Sequence, residues 1–130
     1  MSVGVLLITH DCIGSSLVAT VTRMLSELPL ALDSLDVPCD SDPDEMAALL
    51  CGRLEALDQG GGVLLLTDIF GGTPSNIACK PPPEIRVRMV AGVNLPMLVR
   101  VLNYPQLPLD ELAEKALSGG REGVFAGNEA

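Results

Sequence analysis

The chain contains one histidine, His10, directly after the unbroken apolar run Val3 to Thr9. Imidazole is the one side chain whose ordinary charge change lies near neutral pH, and its neutral form offers a nitrogen lone pair for nucleophilic attack. A second apolar run, Val63 to Thr67, is followed just as directly by Asp68. If the two runs are neighbouring strands, imidazole and carboxylate start from the same sheet edge. A carboxylate on Nδ1–H would fix the tautomer, leave the Nε2 lone pair open and stabilise positive charge on the ring during phosphoryl transfer. Asp68 is then an orienter rather than a base.

Phe70, Gly71, Gly72, Thr73 and Pro74 come next. Gly71 and Gly72 permit close backbone approach or positive φ, Thr73 can cap a helix, and Pro74 suits a first helical turn, where its missing N–H costs nothing. The expectation is an exposed helix start whose free N–H groups receive phosphate oxygens, with the Thr73 hydroxyl as a further donor. The candidate reacting and orienting groups are therefore His10, Asp68 and Thr73, with Phe70, Gly71, Gly72 and Thr73 as the phosphate cradle. A third loop, Gly92, Val93 and Asn94, is expected to face the same crevice, because ligand groups in open α/β sheets collect beyond the carboxyl ends of strands.

The elements that must position these residues can be read from periodicity. Val3 to Thr9 and Val63 to Thr67 lack polar alternation and read as central parallel strands. Gly14 to Leu28 carries apolar residues at helical spacing until Pro29. Leu32 to Val37 is a partly alternating strand ended by Pro38. Ser41 or Asp42 caps the next helix with Pro43 at its first position, and Gly60 to Gly62 form the turn after it. A short helix must finish before Pro81 to Pro83, and Ile85 to Ala91 is a strand with one wetter face. Asn94 caps a helix through Leu102, Leu109 to Leu117 forms another before Gly119 and Gly120, and Glu122 to Phe125 is expected as a last short strand. The order implies an α/β fold, a mainly parallel sheet doubly wound with helices on both faces.

Composition bounds the rest. A length of 130 residues suits a single domain, and 48% hydrophobic residues with two Phe, one Tyr and no Trp imply an aliphatic core. A net charge of −9 argues against a phosphate-backbone binder, so no nucleic-acid partner is expected. Val3 to Ile8 is too short to span a membrane and no basic segment precedes it, so the expectation is a soluble, cytosolic protein without membrane insertion. Cys12, Cys39, Cys51 and Cys79 form no CxxC pair and are expected to be buried, reduced thiols. Asp40, Asp42, Asp44 and Glu45 lack the glycine and terminal glutamate of a calcium loop and read as helix N-terminal charge, so no metal site is expected.

Four segments in order carry a resemblance: the strand ending at Thr9 and His10, Thr67 to Ala78 (TDIFGGTPSNIA), Val90 to Leu98 (VAGVNLPML) and Gly120 to Val124 (GREGV). Over nearly the whole length the chain resembles the IIA component of the mannose family of the bacterial phosphoenolpyruvate-dependent sugar phosphotransferase system. The resemblance implies that His10 accepts a phosphoryl group from the carrier HPr and passes it to a histidine on a IIB partner, with no metal or organic cofactor. Asp68 falls on the family's active-site aspartate and Thr73 on its loop hydroxyl. It also implies a four-stranded parallel sheet with an antiparallel strand, Glu122 to Phe125, exchanged in a homodimer. The 130 residues carry no fused IIB domain, and stand-alone members serve regulatory phosphorelays, so a regulatory target is an expected alternative to transport. Two other readings remain: a receiver-like domain phosphorylated on Asp68, and a non-catalytic module binding an anion at Gly71 to Thr73. The receiver reading would need a second acid beside Asp11 and a lysine at a later strand end, where this chain has Cys12 and Asn94.

Overall fold

The computed structural model describes residues 2–129. Its elements are β1 (Gly4–His10), α1 (Ile13–Leu25), β2 (Leu32–Val37), α2 (Pro43–Leu57), β3 (Val63–Thr67), α3 (Thr73–Ala78), β4 (Val87–Ala91), α4 (Leu95–Leu102) and α5 (Leu109–Glu122). The sheet is parallel throughout, in the order β2-β1-β3-β4. Ile8 pairs with Thr67 and His10 with Val37, so β1 lies between β2 and β3. The two apolar runs are the two central strands, and alternate residues of each feed opposite faces. Val5, Leu7, Leu64 and Leu66 pack with α1, α4 and α5, whereas Leu6, Ile8, Val63 and Leu65 pack with α2 and α3. Burying each such side chain contributes about 1.5–3 kcal/mol, which fixes the register that presents His10 at the strand end.

Helix starts follow the local chemistry. Asp42 accepts the Asp44 N–H with Pro43 in the first turn, and Asn94 accepts the Met97 N–H at 2.9 Å. Gly72, rather than Thr73, is the N-cap of α3. The turn at Gly60 to Gly62 is held by Asp58 Oδ1, which accepts both the Gly60 and the Gly62 N–H.

Three expectations are corrected here. Gly119 and Gly120 do not stop the last helix; α5 continues to Glu122, and Glu122 to Phe125 is not a strand of this sheet. These glycines serve packing. A Cβ on Gly119 would collide with Arg100 Cβ, and one on Gly120 would lie 2.8 Å from Met97 Cε, so the missing side chains let α4 and α5 touch. The cysteines are not buried either: Cys12, Cys39 and Cys79 are exposed and Cys51 is half-buried, all four as free thiols. Among the described residues no helix is long and apolar enough to cross a membrane.

Candidate functional site

β1 delivers His10 and the turn after β3 delivers Asp68. The local chain enforces this geometry. Thr9 is fully buried, and its Oγ1 accepts the Gly14 N–H at 2.7 Å, tying the start of α1 to the end of β1. Asp11 turns the chain in the left-handed region at φ 45°, which Asp tolerates better than most residues. Its N–H still reaches Val37 O at 3.0 Å, so the turn stays anchored to β2.

The Asp68 carboxylate clamps His10 at two points. Oδ2 accepts the His10 main-chain N–H at 3.1 Å and pairs with ring Nδ1 at 2.9 Å. Oδ1 accepts the Ile69 N–H at 3.1 Å and a longer contact of 3.4 Å from the Thr67 hydroxyl. Burial pushes the Asp68 pKa up, but the hydrogen bonds and the attraction of His10 outweigh it, holding the group below its ordinary 3.8. An ionised carboxylate only accepts hydrogen bonds, so Nδ1 carries a proton, and in the neutral ring Nε2 then keeps the lone pair. With both oxygens occupied and its side chain only 13% exposed, Asp68 has the surroundings of a positioning carboxylate, not of an attacking one. His10 is 42% exposed and lines a cleft of about 310 Å³ together with Val37, Pro38, Cys39, Ser41, Pro43 and Thr73.

The structure therefore brings His10, Asp68, Gly72 and Thr73 together. Gly71 supplies the turn at φ 91°, and its N–H donates to Ser75 Oγ at 3.2 Å. Phe70 lies outside the cleft, its side chain 71% exposed beside the similarly exposed Ile69. The third loop also stands apart. Asn94 is occupied at both ends, accepting from Met97 N–H and donating to Gly120 O at 3.1 Å, while Gly92 and Val93 bond to Thr67 O. It lines a different cavity of about 280 Å³ with Arg121 and Val124. The reason is strand order: β3 separates β4 from β1, so the wall opposite Asp68 comes from the end of β2. Sequence reasoning missed that wall, Val37 to Pro43, and also the anchoring role of Thr9; the acidic, Pro-containing stretch after β2 read only as a helix start. Among the described residues no group of three or more His, Cys, Asp or Glu is placed to hold a metal ion.

Fold and site together define an open parallel α/β protein that presents an acid-paired imidazole where its strand order reverses. The family model of EIIA-man, the phosphotransferase system fructose IIA component, matches residues 4–117. The chain belongs to this family, whose members are phosphoryl-transferring components of the sugar phosphotransferase system. It is 31% identical over 129 residues to the mannose-specific EIIAB component of Escherichia coli K12, covering 97% of this chain and 40% of that one. The transcriptional regulatory protein LevR of Bacillus subtilis is 26% identical over 111 residues, covering 82% of this chain and 12% of LevR. The mannose/sorbose-specific IIA subunit from Enterococcus faecalis superimposes with a TM-score of 0.83 at 26% identity, covering 97% of this chain and 95% of that one. The chain thus spans less than half the length of these two curated relatives.

Proposed function

We propose that His10 accepts a phosphoryl group on Nε2 from phosphorylated HPr and passes it to a histidine of a IIB partner or to a regulatory target. The observation that carries this reading is the two-point clamp of Asp68 on His10. In the acceptor step the Nε2 lone pair forms the new N–P bond as the donor's N–P bond breaks. The ring, still protonated at Nδ1, gains positive character that the Asp68 charge offsets. The donor's nitrogen recovers its electron pair, and the reverse sequence serves the downstream acceptor. No cofactor enters this chemistry. Thr73, which lines the same cleft as His10, supplies a hydroxyl to the phosphoryl oxygens, beside the backbone of Gly71 and Gly72.

Similarity to a mannose-specific transport component and to a transcriptional regulator supports both outputs, a transport relay and a regulatory one. The reading carries with it a cytosolic location and one IIA carrier domain over residues 1–130. It also includes a homodimer that exchanges the segment after α5. Val124 and Phe125, 75% and 61% exposed in the single chain, support that last element, since a second subunit would cover them.

The test is incubation with phosphoenolpyruvate, enzyme I and HPr. The expected label is stable to alkali, lost in acid and absent from His10→Ala. An alkali-labile label that persists in His10→Ala would assign the chemistry to an aspartyl phosphate instead.

A further inference from the structure

The two glycines before α3 answer to different constraints. Gly71 has φ 91° and open space where a Cβ would stand, so its backbone conformation selects glycine. Gly72 has φ −81° and ψ 173°, extended backbone that any residue adopts. What excludes a side chain there is His10. A Cβ at 72 would lie 2.8 Å from His10 Cε1, 3.2 Å from Nε2 and 3.4 Å from Ile69 Cγ2. Carbon atoms in good contact stand about 3.5–4.0 Å apart, so even a methyl group overlaps the ring edge.

We propose that Gly72 is a positioning residue: its bare Cα is the second wall of a slot whose first wall is the Asp68 carboxylate, and the two walls hold the imidazole in one orientation. This inference rests on His10 being the phosphoryl carrier. A hydrogen bond to Nδ1 alone leaves the ring free to pivot about that bond. Backbone against the Cε1 edge stops the pivot on the side of α3, while the unsubstituted Cα leaves room beside Nε2 for an approaching phosphorus atom. Gly72 cannot retreat easily, because its carbonyl accepts the Asn76 N–H at 2.9 Å and the preceding N–H of Gly71 is held by the buried Ser75. A larger residue at 72 must therefore displace the ring, and the Nδ1–Asp68 bond is what yields.

Gly72→Ala tests this. Transfer from phosphorylated HPr is expected to fall about 100-fold, the loss that a displacement near 1 Å produces. The His10 imidazole ¹⁵N signals are expected to move away from the single Nδ1–H tautomer. Unchanged imidazole signals, or transfer within threefold of the unaltered chain, would overturn the proposal. Should the variant not fold, the unaltered protein decides: a nuclear Overhauser contact between His10 Hε1 and the Gly72 α-protons is expected, and its absence overturns the slot. Failure of the unaltered chain to accept phosphoryl groups would sink the carrier reading by itself, while the magnetic-resonance results would still judge the slot.

Discussion

Asp68→Asn separates charge from geometry in the clamp, and the size of its effect can be worked out in advance. Asp68 faces three N–H donors, the His10 main chain, the His10 ring and the Ile69 main chain, together with one rotatable hydroxyl on Thr67. With its oxygen toward His10, the asparagine amide satisfies two of the N–H donors and conflicts only with Ile69, while the Thr67 hydroxyl can turn to accept. Flipped, it conflicts with both His10 donors. The first orientation wins, so the Nδ1–H tautomer and the Nε2 lone pair survive. What is lost is the charge. A hydrogen bond to a charged group contributes about 1.5–3 kcal/mol against about 0.5–1.5 kcal/mol for a neutral one, and losing the difference of about 1–1.5 kcal/mol from the transition state slows transfer about 5- to 13-fold. An inverted tautomer would cost far more, on the order of 10⁴-fold, as in a serine-protease triad with its aspartate changed to asparagine. Rapid-quench single-turnover transfer from phosphorylated HPr measures the rate, and ¹⁵N spectra of the ring report the tautomer. A rate within threefold of the unaltered chain would refute the electrostatic role; a 10⁴-fold loss with Nδ1 still protonated would refute the tautomer argument.

Two further outcomes follow from the same geometry. Because Asp68 titrates below its ordinary 3.8 in the folded chain, the stability it contributes is present above about pH 4 and is lost as the pH falls through the lower, folded value. The stability gap between the unaltered chain and Asp68→Asn should therefore shrink in urea titrations below pH 4, and a gap constant from pH 2.5 to 7 would contradict the shift. Asn94→Ala should cost about 1–2 kcal/mol by removing the α4 cap and the bond to Gly120, yet leave phosphoryl transfer unchanged. A transfer defect at unchanged stability would return the third loop to the site.

The central strands and the His10–Asp68 pair were legible because both residues end uninterrupted aliphatic runs, and two buried runs of that kind in a parallel sheet tend to be neighbours. Strand order was harder to read. Nothing in Leu32 to Val37 announces that it borders β1 on the side opposite β3, so the cleft wall from Val37 to Pro43 stayed hidden and Gly92 to Asn94 was assigned to the crevice instead. The glycines expose a second limit. Gly119 and Gly120 look like a helix stop by local propensity, whereas their role is contact with Arg100 and Met97, more than fifteen residues away in the chain. Gly72 is the same kind of residue: its constraint lies in His10, sixty-two positions earlier, and no local pattern distinguishes it from Gly71.

The central claim is that one nitrogen of one side chain carries the phosphoryl group. The most direct measurement is to phosphorylate the unaltered chain with phosphoenolpyruvate, enzyme I and HPr, and to locate the phosphorus by ³¹P–¹⁵N coupling and peptide mapping under alkaline conditions. A single phosphoryl group on Nε2 of His10 is the expected result. Phosphorus on Nδ1, or on any other residue, would contradict it.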